Sequence, residues 1–313
     1  MTPFDLTKLY QGDIRTISRA ISRIENRADD TDSLLSAVYE RVGSAYRIGI
    51  TGPPGSGKST LVDRLIPAFR AEKRQVGVIS IDPTSPFSGG ALLGDRVRMG
   101  RHTGDSGVYI RSMASRGSLG GLAVSAQEAG DILDAAGKDV ILFETVGVGQ
   151  VELDIADVAD TTVVVLVPES GDEVQAMKSG LMEIADLFVL NKADRDGADK
   201  AFAELTSILD LAGEERDWSR KIIKASALQE EGIGEVYAAI LSHYEYLQDQ
   251  DRLLEKRRQR FRWRIEKLVQ ERLNAEFWTA ERTAKVQDAI RSIEVGNTSP
   301  YTIAGELLEE LSL

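Results

Sequence analysis

Between residues 46 and 225 the chain alternates two kinds of apolar pattern. Short segments at 46–51, 76–81, 108–112, 139–144, 161–167, 186–190 and 221–225, several of them continuous apolar runs, read as strands. Thr162-Val163-Val164-Val165-Leu166-Val167 is apolar at nearly every position, which suits a strand covered on both faces. The gaps, at about 59–74, 122–137, 172–184, 197–212 and 232–247, carry apolar residues at helical spacing, as in Leu61, Leu65, Ile66 and Phe69. Alternating strand and helix predict a doubly wound α/β domain with a mostly parallel sheet.

The pattern changes at both ends. Residues 1–45 read as helical: Ile14, Ile17, Ile21 and Ile24 form one stripe. Asp29, Asp30, Thr31 and Asp32 then offer caps for a second helix bearing Leu34, Leu35, Val38 and Val42. After 247 the strand pattern stops. Residues 248–276 read as one long charged helix, with Leu247, Leu254, Phe261 and Leu268 every seventh residue and Ile265 beside them. Asp251, Arg258 and Arg272 interrupt that seam, which fits either a lid on the sheet domain or an arm against a second subunit. Helices near 279–293 and 300–311 follow. The expected divisions are 1–45, 46–247 and 248–313.

Composition narrows the function. The chain has 313 residues and a net charge of −12, so as a whole it should not seek nucleic acid or an anionic membrane. The basic run Lys256-Arg257-Arg258-Gln259-Arg260-Phe261-Arg262-Trp263-Arg264 is the exception. On a helix such a run reads first as a solvated face or a partner for the protein's own acids, so no nucleic-acid partner is expected. There is no cysteine, which excludes disulfides and thiolate metal sites and fits a reducing, cytoplasmic setting. His102 and His243 alone supply a histidine metal site poorly. The first 30 residues lack the apolar run of a secretory signal, and no stretch approaches 18 uninterrupted apolar residues, so no membrane span is expected.

The chemistry is concentrated in a few motifs. Gly52-Pro53-Pro54-Gly55-Ser56-Gly57-Lys58-Ser59 fits G-x-x-x-x-G-K-[ST] between an expected strand and an expected helix. In that setting the loop N–H groups around Gly55, Ser56 and Gly57 can converge on phosphate oxygens, aided by the helix dipole. Lys58 meets the β- and γ-phosphates, and Ser59 binds Mg²⁺. Asn191-Lys192-Ala193-Asp194 follows an apolar strand, where ligands bind in open α/β sheets. A buried Asp194 carboxylate accepts from guanine N1–H and its 2-amino group; adenine offers neither donor and leaves the acceptor unpaired. Asn191 braces this site, and the Lys192 stem lies along the base. Ser226-Ala227-Leu228 has the character of the remaining guanine loop, with the Ala227 N–H expected to face guanine O6. The strand Lys138 to Glu144 ends in an acid suited to Mg²⁺, followed by Gly147, whose N–H can report the γ-phosphate. Asp82, at another strand end, and Asp95, in the Gly-rich segment 88–96, are further Mg²⁺ or switch candidates; Arg96 and Arg98 are candidate phosphate or partner contacts.

G-P-P-G-S-G-K-S-T, I-D-P-T-S-P, G-G-A-L-L-G-D-R-V-R-M, F-E-T-V-G-V-G-Q and L-N-K-A-D occur in that order. Together they closely resemble the MeaB/ArgK/MMAA family of P-loop GTPases, the methylmalonyl-CoA mutase-associated chaperones, over nearly the whole chain. The resemblance implies a GTPase that binds an adenosylcobalamin-dependent acyl-CoA mutase, gates its cofactor loading and offloading, and protects it from inactivation. It implies a homodimer through the C-terminal helices. It places Lys58, Ser59 and Thr60 in the phosphate/Mg²⁺ loop and matches Asp82, Asp95 and Glu144 to the acidic Mg²⁺ and switch positions. Residues 169–178, with Asp172, Glu173, Gln175 and Lys178, resemble the family's additional switch, although Glu169 and Ser170 replace a more Gly-rich run. A small-molecule kinase of the amino-acid transport type is the first alternative, but it needs an acceptor pocket where this chain has a guanine loop. A metallochaperone GTPase is the second, and the lack of cysteine argues against it. An RNA-directed GTPase would rest on the basic helix alone.

Overall fold

The strand Tyr46–Thr51 (β1) is buried at every position and lies at the centre of a seven-stranded sheet. A computed structural model describes residues 4–82, 100–102, 104–114, 121–145, 151–168, 180–211, 217–294 and 298–309. The other strands are β2 (Val76–Asp82), β3 (Val108–Ala114), β4 (Val140–Thr145), β5 (Thr161–Leu166), β6 (Leu187–Leu190) and β7 (Lys221–Lys224), so each apolar run forms a strand. Their order is β3-β2-β4-β1-β5-β6-β7 and every pairing is parallel. The order reverses at β1, which places a ligand crevice at the carboxyl ends of β1 and its neighbours.

Side chains alternate across each strand, and both faces are covered. On one face Ile48, Ile50, Val78, Leu142, Val163 and Val165 join a core with Leu61, Leu65, Ile66 and Phe69 of α4 (Lys58–Ala71). On the other lie α5 (Gly121–Ala135) and α6 (Val151–Val158), with Leu133 beside Gly77 and Ile155 beside Gly49. The helix α6 falls in a gap for which the apolar pattern predicts no element. The expected helix 172–184 appears as α7 (Leu181–Ile184); its residues 172–179 lie outside the described ones. α8 (Ala198–Leu211) and α9 (Ile233–Gln248) complete the layers.

At the amino end come α1 (Leu6–Tyr10), α2 (Ile14–Glu25) and α3 (Thr31–Val38). Ile17, Ile21 and Ile24 of the expected stripe are buried, whereas Ile14 is exposed. Asp13 caps α2 through the Thr16 N–H at 2.8 Å. Asp30 stands at the start of α3 without capping it; its carboxylate pairs with Arg23 instead. Buried carboxylates of α5 hold β1 and the connection that leads into it. Arg47 donates to Asp131 at 2.7 Å, and Asp134 accepts the N–H groups of Gly43, Ser44 and Ala45 at 2.8, 3.2 and 3.0 Å. Removing one partner of such a group costs about 3–5 kcal/mol, because the other charge is left buried alone.

The chain forms two compact units, Met1–Lys256 and Arg257–Leu313. A short turn at 249–251, with Gln250 and Asp251 at φ 53° and 59°, separates α9 from the long helix α10 (Arg252–Phe277). Leu247 therefore belongs to α9 and is buried, so the expected heptad seam does not start on the long helix. The second unit holds most of α10, α11 (Ala280–Glu294) and α12 (Pro300–Glu309). On α10, Phe261, Ile265, Val269 and Leu273 recur every fourth residue and are 40–61% exposed. Among the described residues no helix is long and apolar enough to cross a membrane.

Candidate functional site

The loop between β1 and α4 turns tightly because its glycines permit it. Gly52, Gly55 and Gly57 have φ values of 135°, 75° and 90°. At Gly52 a Cβ would lie 2.1 Å from the Val165 carbonyl oxygen, and at Gly57 it would lie 2.3 Å from Asn191 Nδ2. Gly52→Ala combines a strained backbone, about 1–3 kcal/mol, with an overlap of similar cost. A clear drop in thermal midpoint is expected for this variant, measured by circular dichroism; an unchanged midpoint would show that the loop is not held against β5 as described.

Lys58 opens α4 and is buried; its ammonium donates to the carbonyls of Gly52 at 2.6 Å and Pro53 at 2.9 Å. The buried Ser56 hydroxyl has no hydrogen-bond partner among the described residues, an orphaned polar atom inside the loop. Ser59 donates its hydroxyl to Glu144, and Ser80 donates to the other carboxylate oxygen at 3.4 Å. Glu144 is fully buried at the end of β4. Thr60 follows in the first turn of α4, and Asp82 ends β2, next to β4. The Ser59 hydroxyl and the Glu144 carboxylate are oxygen donors of the kind a hard cation takes. Among the described residues no group of three or more acids or histidines forms a protein-only metal cage.

Asn191 links the two sequence motifs. Its side chain is buried, its Nδ2 donates to the Ser56 carbonyl at 2.8 Å, and its Oδ1 accepts the Ala227 N–H at 2.9 Å. The Ala193 N–H donates to the Ala225 carbonyl at 3.0 Å, so the ends of β6 and β7 are also joined. Two expectations change here. The N–H of Ala227, expected to face O6, is engaged by Asn191, because the short turn after β7 brings that peptide against the β6 end. Asp194 is exposed, not buried, because it stands on the turn after β6, beyond Lys192 at φ 57°. The hydrogen bond from the Ser226 hydroxyl holds the Asp194 carboxyl below its ordinary pKa, and the carboxylate persists. Leu228 is exposed. Asp95, Gly147, Asp172, Glu173, Gln175 and Lys178 lie outside the described residues.

A separate cavity of about 410 Å³ lies at the opposite rim of the sheet, beside Trp218, His243 and Tyr246. Its charged residues are already paired: Lys256 with Asp186, and Arg252 with Asp249 and Asp217. Among the described residues, phosphate loop, buried acid and N-K-x-D come together at the carboxyl rim.

The family model described as methylmalonyl Co-A mutase-associated GTPase MeaB matches residues 17–282. The chain belongs to the MeaB family. A Pyrococcus abyssi protein is 47% identical over 309 residues, covering 98% of this chain and 95% of its own length. The GTPase ArgK of Escherichia coli is 34% identical, covering 97% of this chain and 95% of its own. Among solved structures, one titled as an LAO/AO transport system kinase superposes with a TM-score of 0.75 at 29% identity, covering 98% of this chain and 96% of that one. The MeaB family is a family of P-loop GTPases, and the doubly wound parallel sheet agrees with it.

Proposed function

We propose that this protein hydrolyses GTP and uses its nucleotide state to gate cofactor loading and offloading on an adenosylcobalamin-dependent acyl-CoA mutase, methylmalonyl-CoA mutase first among them. The observation that carries the nucleotide half is Asn191, which joins the phosphate loop to the guanine motif through two hydrogen bonds from one buried side chain. The family description supports the mutase half.

In this reading Lys58 and the loop N–H groups hold the charge that develops on the γ-phosphate as water attacks. Asp194 selects guanine, and Asn191, Lys192 and Ser226 shape its surroundings. Ser59, Glu144, Asp82 and Asp95 are the residues that would hold Mg²⁺, which when bound neutralises charge on the phosphate oxygens. Gly147 and the segment with Asp172, Glu173, Gln175 and Lys178 report nucleotide state to the mutase. The exposed apolar row on α10 supports the homodimer, and the cytoplasm is the proposed setting.

Each candidate mutase is to be added to the protein and phosphate release followed. Co-purification and faster GTP turnover with one of them are expected; no binding and no change at saturating mutase would refute the partnership. The solved structure titled as a kinase favours a second reading, phosphoryl transfer to a small acceptor such as an amino acid. With labelled GTP and candidate acceptors present, inorganic phosphate as the sole labelled product removes that reading, and a labelled acceptor establishes it.

A further inference from the structure

The backbone of Ala227 is gripped from two sides. Asn191 accepts its N–H, and on the carbonyl side Arg64 Nε donates to the Ala227 oxygen at 3.3 Å. Arg64 lies on α4, six residues after Lys58, and its side chain is only 16% exposed. Its Nη1 also reaches Glu230 at 2.9 Å, with Asp63 behind it at 3.8 Å.

Ala227 and Glu230 belong to one small turn. Ser226 and Glu231 close it with reciprocal backbone hydrogen bonds of 3.0 and 3.1 Å, and the Gln229 N–H adds another to the Ser226 carbonyl at 3.1 Å. Glu230, at φ 64°, is the residue before the closing Glu231. A guanidinium is a planar fork with several fixed donors, so one side chain can hold two points of a turn where an ammonium holds one. The opening residue of the turn, Ser226, hydrogen-bonds Asp194.

We propose that Arg64 is a positioning residue for guanine recognition. It fixes the Ser226–Leu228 segment relative to the helix that begins at the phosphate loop, so that base and phosphates are met in one geometry. A shift of about 1 Å between the two would weaken contacts that must form together. The proposal rests on the guanine-nucleotide reading above. It assigns Arg64 no contact with the nucleotide: its effect passes through Ala227 and Glu230.

Calorimetric titration of the full chain with GDP and with ADP tests this on the native protein, R64M and R64K. R64M is expected to weaken GDP about tenfold, the size of one hydrogen bond involving a charged group. ADP makes no use of the guanine loop and should bind R64M and the native protein alike. R64K should recover part of the loss, because its ammonium can still donate to the Ala227 carbonyl. Native GDP affinity in R64M overturns the proposal. So does an equal loss for GDP and ADP in both variants, which would make Arg64 a support for α4 alone. If the native protein does not prefer GDP to ADP, the guanine reading itself falls, and this proposal with it. A native preference that R64M leaves intact removes only the role of Arg64.

Discussion

Replacing Lys58 with alanine will reduce GTP turnover by at least roughly 10²–10³-fold, the loss typical when one preorganised group facing developing charge is removed. The reason is the position of its ammonium. It is buried at the first residue of α4 and lies over the carbonyls of Gly52 and Pro53, inside the loop where the γ-phosphate is expected. No other residue of the loop carries a positive charge. Alanine would also leave those two carbonyls without this donor, at about 1–3 kcal/mol if they stay dry. Phosphate release at saturating GTP is the measurement, with a thermal melt of the same sample to confirm folding. A folded variant with near-native turnover would show that the charge on the γ-phosphate is met elsewhere. Lys58→Arg is the informative companion: it keeps the charge but carries a larger, planar head, and the tight turn at Gly52 leaves little room for it.

These features differ in how plainly the sequence shows them, for physical reasons. Strands buried on both faces become nearly continuous apolar runs, so β5 is plain in the sequence. The phosphate loop was legible because its glycines and lysine must stand at fixed spacing to form the cradle. The helix α6 was hidden: Val151, Ile155 and Val158 have helical spacing, but the run is short, carries acids and follows the glycines at 147 and 149. The break before α10 was hidden too, since Gln250 and Asp251 take left-handed backbone without a glycine or proline to announce it. Contacts across the sheet leave no local trace. Asn191 could be named as a brace, but its partners Ser56 and Ala227, 135 and 36 residues away, follow only from the strand order.

The exposure of Asp194 sharpens what its substitution should do. Asp194→Asn will lower the preference for GTP and admit xanthine nucleotides. The carboxylate is held ionised by the Ser226 hydroxyl, and as an acceptor it pairs with the two donors of a guanine edge. Asparagine presents an oxygen and an NH₂ group in the same outline, so one contact inverts. Xanthine carries a carbonyl where guanine carries its amino group, and it can accept from that NH₂. Two charge-assisted hydrogen bonds of about 1.5–3 kcal/mol each correspond to roughly 10²–10⁴-fold in affinity for GTP. Because the residue stands on an exposed turn, the substitution should leave thermal stability within about 0.5 kcal/mol, and the change in selectivity can be read without a folding defect. Competition between GTP and XTP for the native protein and the variant, at equal Mg²⁺, decides the matter. Retained guanine selectivity in the variant would mean that Asp194 does not read the base, and that recognition falls to the backbone of the turn held by Asn191.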